Sequence, residues 1–154
     1  MKLFDTSTDI VEMIDDKFEE IGLAVYGLDL RVISTTKSKD IIKVSKASAT
    51  AEYLTKREGI ITVVVYEEAF DRLSDDAKNI LVEMALSNIA YDSEKDRITI
   101  DNTPYNQIFR FRKKFGDEVI LNTLELSAHI LNEIEEEAKA KKEAAKEAKR
   151  AKQG

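Results

Sequence analysis

Apolar residues recur along this chain with two periods, and the switches between them lay out the elements. Ile10, Ile14, Phe18 and Ile21, joined by Val11, form one stripe at helical spacing, so residues 6–21 are predicted helical. Thr6, Ser7 and Thr8 offer caps, Asp9 suits the first turn and Gly22 suits the stop. Glu12, Asp15, Asp16, Glu19 and Glu20 make the remaining faces a solvated acidic side. Residues 28–34 alternate instead, with Leu28, Leu30 and Val32 on one face of a strand. Residues 41–45, IIKVS, predict a second strand, and the polar link 35–40 predicts that the two form a hairpin. A short helix is expected over 49–57, capped by Ser48, with Tyr53 and Leu54 inward and Gly59 at its end. Residues 60–66, IITVVVY, are the most strand-like run, and their continuous apolar character predicts burial on both faces. Phe70 and Leu73 anchor a compact turn over 67–73.

The next stretch, SDDAKNILVEMALSNIAYD, predicts a central helix over 74–92. Ser74 is its N-cap, and Asp75 and Asp76 sit at the positive end of the helix dipole. Ile80, Leu81, Met84, Ala85 and Ile89 form its core side. Asn79, Glu83 and Ser87 fall at i, i+4 and i+8 and form a polar strip, with Val82 and Leu86 beside it. Residues 97–100 predict a short strand. Thr103-Pro104 starts a helix that stops at Gly116, with Tyr105, Ile108, Phe109 and Phe111 inward. Arg110, Arg112, Lys113 and Lys114 read as its solvated basic face. Asp117 caps a long last helix. Its first half packs through Val119, Ile120, Leu124, Leu126, Ile130, Leu131 and Ile134, with His129 among them as a packed or interface residue. Beyond Glu137 the residues are strong helix formers without an apolar stripe, so a helix there is marginal on its own.

Together these elements predict an α+β fold. A small sheet of three or four strands packs on the central helix, and the first and last helices cover the flanks. The domain spans residues 1–137, and 138–154 form a basic Ala/Lys/Glu-rich helical tail.

Charge and chemistry sharpen this picture. The chain carries a formal charge of −6, while residues 138–154 hold seven basic and two acidic side chains. The tail is therefore +5 and the body −11, so only the tail suits a polyanion. There is no cysteine and one histidine, His129. Thiolate zinc sites and cysteine nucleophiles are excluded, and a catalytic zinc site normally needs at least two histidines. No apolar run approaches the roughly 20 residues of a membrane span, and MKLFDTSTD lacks the apolar core of a signal peptide.

One resemblance runs across residues 41–116. Lys46-Ala47-Ser48 leading to Tyr53-Leu54, then VVVYEEAFDRLSDDAKNIL, then DNTPYNQIFRFRKKFG, follow the segment order of a family of small phage metallopeptidases. The family has a minimal zincin-like fold. Its zinc-binding His-Glu-x-x-His motif falls here on Val82, Glu83 and Leu86, so the glutamate stays and both histidines are aliphatic. The family's downstream His-Asp pair falls near Thr103-Pro104. The resemblance implies a degenerate member. Zinc catalysis needs about three protein ligands and an open water position, and Glu83 alone supplies neither.

The resulting expectation is a non-enzymatic phage protein, an inactive zincin-like domain used for protein binding or assembly, in the host cytoplasm or the virion. Glu83 is then a relic or an ordinary surface residue. No cofactor or metal is expected, nor contact with a membrane. A protein partner or self-association is expected through Lys141, Lys142, Lys146, Lys149 and Arg150. Two other readings stand beside it. Glu83, Asp92, Asp96 and Asp101 could form a carboxylate site for a metal-dependent hydrolase. The basic tail could instead bind nucleic acid.

Overall fold

The computed structural model describes residues 1–100 and 104–153, and side chains for 1–100 and 110–153. The elements are β1 (Leu3–Asp5), α1 (Thr8–Glu20), a 3-10 turn (Leu23–Tyr26), β2 (Asp29–Thr35), β3 (Ile42–Lys46), α2 (Ala49–Thr55), β4 (Ile60–Tyr66), α3 (Glu67–Asp71), α4 (Asp75–Leu86), β5 (Ile89–Asp92), β6 (Arg97–Ile100), α5 (Pro104–Phe115) and α6 (Asp117–Gln153). The fold is α+β, with a mixed four-stranded sheet in the order β1-β2-β4-β3, a separate β5–β6 hairpin and a long C-terminal helix.

The sheet corrects the expected hairpin. β2 and β3 do not pair; β4 lies between them, parallel to β2 and antiparallel to β3. The most apolar strand takes the central place, where a strand is flanked on both edges. The β2–β4 pairing runs the full seven-residue length, from Asp29 opposite Ile60 to Thr35 opposite Tyr66. A parallel pair needs a long crossover, and β3 with α2 supplies it. β1 adds an exposed edge strand that the sequence reading left out.

Strand alternation gives the sheet one dry face. Ile61, Val63 and Val65 are fully buried, and the register places Leu30, Val32 and Ser34 of β2 and Ile42 and Val44 of β3 on the same side. On the opposite face Ile60 and Tyr66 are buried and Thr62 and Val64 half-buried. The expectation of burial on both faces of β4 is therefore met fully on one face and at the two ends of the other. α4 packs against β3, α1 and α6 and, with α1, closes the dry face.

α4 ends sooner than predicted. Its C-terminal Ser87 donates its hydroxyl to the Glu83 carbonyl at 2.7 Å. Ile89–Asp92 then leaves as a strand paired with Arg97–Ile100. Ile89 and Tyr91 on one strand and Ile98, Thr99 and Ile100 on the other favour this hairpin over another helical turn. Asp92 accepts the backbone N–H groups of Glu94 and Lys95 at 3.1 and 3.3 Å, which shapes the turn.

Ser74 and Ser48 cap α4 and α2 as expected, accepting from Ala77 N at 3.3 Å and Ala51 N at 3.1 Å. α2 itself buries nothing: Tyr53 and Leu54, expected inward, are 71% and 72% exposed. In α6 the inner stripe is Ile120, Thr123, Ile130 and Ile134; Val119, Leu124 and His129 lie off it and are exposed. Phe111 is buried with Ile80 and Ile120. The expected cap Thr103 and the side chains of Tyr105, Ile108 and Phe109 lie outside the described residues.

Val82 and Leu86 are both fully buried within the main core. Leu86→Ala should cost about 2–5 kcal/mol by cavity formation. Leu54→Ala, on the exposed face of α2, should stay within about 0.5 kcal/mol of the parent. Urea denaturation of the two variants measures the difference.

Candidate functional site

α4 carries the positions on which the resemblance turns. Its spacing sends Val82 and Leu86 inward to the sheet-side core, while Ile80 and Met84 face a second cluster with Phe111, Phe115 and Ile120. Glu83 comes from the strip expected to be polar, but it does not lie at the surface. Its neighbour Asn79 is exposed, yet Glu83 is 4% exposed. This overturns the expectation of an ordinary surface carboxylate. The Glu83 Oε1 accepts a charge-assisted hydrogen bond from Lys114 Nζ, which reaches back from α5. The Lys114 ammonium also lies 5.2 Å from the centre of the Phe115 ring. A buried carboxylate must be paired or neutralised, and Lys114 supplies the pairing.

The basic cluster on α5 is thus not simply solvated. Lys114 turns to Glu83, and Arg112 makes a two-pronged contact with Asp117, both bonds at 2.8 Å, across the α5–α6 corner. Gly116, at φ +90°, forms that corner. The guanidinium of Arg112 holds the Asp117 carboxyl below the usual carboxylate range.

Of the carboxylates named for a metal site, the three described ones each have another role. Glu83 is paired with Lys114, Asp92 caps the β5–β6 turn, and Asp96 accepts from the Tyr91 hydroxyl. Asp101 lies outside the described residues. Among the described residues no group of three or more His, Cys, Asp or Glu side chains is placed to hold a metal ion.

A feature the sequence reading missed lies beside the hairpin. Tyr26 and Tyr91 stack with ring centres 5.2 Å apart and wall a cleft of about 380 Å³ that also takes in Lys46, Glu52, Glu58 and Arg97. Asp96 beside Tyr91 pushes that phenol above its ordinary value. Glu52 Oε1 is buried with no hydrogen-bond partner among the described residues. No sequence signal brings Tyr26 and Tyr91 together, because they meet only through the 3-10 turn and the hairpin.

The tail leaves the body at a defined clamp. Arg72, just after α3, reaches Glu137 at 2.8 Å, Glu133 at 3.3 Å and Glu68 at 3.4 Å. Beyond this point α6 continues to Gln153 with every residue exposed, including Lys141, Lys142, Lys146, Lys149 and Arg150. Among the described residues no helix is long and apolar enough to cross a membrane.

No protein-family model matches the chain, and neither a curated protein nor a solved structure matches it.

Lys114→Met should strand the Glu83 charge and cost about 1–3 kcal/mol. Adding Glu83→Leu to that variant should recover most of the loss, because the pair is then replaced by packed apolar atoms. A double-mutant cycle by chemical denaturation reads both. Arg72 holds the Glu137 carboxyl below its ordinary value, chiefly through their hydrogen bond. A carboxylate depressed in the folded state contributes stability at neutral pH that is lost as pH falls through its folded value. Hydrogen exchange should show the α6 amides near Glu137 opening in acid, and Arg72→Gln should remove that part of the pH dependence.

Proposed function

We propose that this chain is a non-enzymatic phage protein, a zincin-like domain without its zinc ligands that serves protein binding or assembly. The observation that carries this reading is the closure of the motif face. Val82 and Leu86, at the positions the family gives to histidine, are fully buried in the core, and Glu83 between them is held by Lys114. The segment order also supports it: a β-branched strand, a short acidic-aromatic helix and then the capped motif helix, as β4, α3 and α4. Such a domain keeps the scaffold of the resemblance and uses its helix for packing. Binding falls to the surface, where the projecting basic helix stands apart from an acidic body. The place of action on this reading is the host cytoplasm or the virion.

The test is direct. Protein purified without chelators should contain no stoichiometric zinc by elemental analysis, and Glu83→Ala should change no hydrolytic readout on peptide substrates. One equivalent of zinc that disappears with Glu83→Ala, or a peptidase activity abolished by it, would overturn the reading.

A further inference from the structure

The exposed side of α1 and the tail of α6 carry opposite charges at matching intervals. On α1, Asp9, Glu12, Asp16 and Glu20 are exposed and fall at i, i+3, i+7 and i+11. On the tail, Lys139, Lys142, Lys146 and Arg150 fall at the same intervals, i, i+3, i+7 and i+11. These offsets keep each set on one side of its helix. At 1.5 Å rise per residue each row is about 16 Å long. The acidic row borders a groove of about 320 Å³ between α1 and α4, with Met13, Asn79 and one cation, Lys17, in its lining.

Both rows have charge to spare. Among the described residues Asp9, Glu12 and Asp16 make no ion pair, and Glu20 has Lys17 at 3.0 Å. Lys142, Lys146, Lys149 and Arg150 likewise make none, while Lys139 reaches Glu135 at 3.3 Å. The tail also has no apolar stripe to bury, so packing against its own body does not order it. A tail clamped by Arg72 at its root and exposed along its whole length is presented outward from its own body.

We propose that the tail of one copy docks along the α1–α4 groove of a second copy, its Lys139–Lys142–Lys146–Arg150 row facing Asp9, Glu12, Asp16 and Glu20. This rests on the reading that the tail serves binding, and it names the partner as a second copy of this chain. The partner is argued from charge complementarity: a body of −11 and a tail of +5 repel their own kind and attract each other. Met13 gives the groove an apolar contact for the alkyl stems of the lysines.

Sedimentation velocity of the full chain tests the pairing. Association should be seen at low salt and weaken about tenfold or more at high salt, because solvent-exposed pairs are screened. The tail variant K142E/K146E/R150E and the α1 variant D9K/E12K/D16K should each be monomeric alone. All six positions are exposed, and unchanged circular dichroism and thermal midpoint would show that both still fold. Mixed together, the two variants should associate again, since each reversed row then meets its complement on the other chain. Reversing three acidic residues elsewhere on the body in place of the α1 row should leave association unchanged, which separates the α1 row from general attraction between tail and body. A chain that stays monomeric at every salt concentration overturns the pairing while leaving the loss of the zinc site untouched. So does association that survives the α1 reversal. Tight binding of the tail to duplex DNA, with no association of copies, overturns it in favour of a polyanion partner.

Discussion

The dry face of one strand sets the terms for this molecule. Ile61, Val63 and Val65 project from β4 into a single layer that must be covered, and the covering helix follows β4 in sequence after only one short helix. α4 therefore has little freedom. Its inward positions must be apolar, and Val82, Ala85 and Leu86 fill them. Histidines at 82 and 86 would put two imidazoles where the sheet requires hydrocarbon, at the cost of burying polar rings without partners. The apolar side chains at the motif and the compact core are one fact seen from two sides.

Glu83 shows what remains when a polar residue stays on such a helix. It lies between two apolar clusters, one on the sheet side and one built from Ile80, Phe111 and Ile120. Its charge is tolerated because α5 ends with Lys114 in reach. Pairs of this kind add little stability over apolar residues of the same volume, but they punish the loss of either partner. Glu83 and Lys114 consequently act as a brace that fixes the end of α5 against α4, just before the chain turns at Gly116 into α6.

Much of the scaffold was legible in the sequence. The caps at Ser48 and Ser74, the strand at 60–66 and the stripe on α1 rest on local chemistry, and local chemistry decides them. What escaped depends on distant partners. Nothing near residue 41 says that β3 will pair with β4 and not β2; that follows from which strand is most apolar overall. Ile89 continues the helical spacing of α4, and only the partner strand Arg97–Ile100 makes the hairpin preferable. Tyr53 and Leu54 look like an inward face, yet the crossover carries α2 over the surface with no element among the described residues to cover it. On α4, the aliphatic residues at 82 and 86 were plain in the sequence. The burial of Glu83 was not, because its partner stands 31 residues away in a run of four cations that looks solvated.

The Arg72 clamp gives the tail a property that composition does not reveal. Because Arg72 grips Glu133 and Glu137, the rotational phase of α6 is fixed at its root. Each further residue turns the helix by about 100°, so the direction of any side chain on the tail is counted from that grip. One residue inserted after Glu137 would swing the whole lysine row about a quarter turn around the axis. Seven would return it to within about 20° and only push it outward by about 10 Å. The direction in which the tail presents its cations is therefore set by its length more than by which helix former stands at each position.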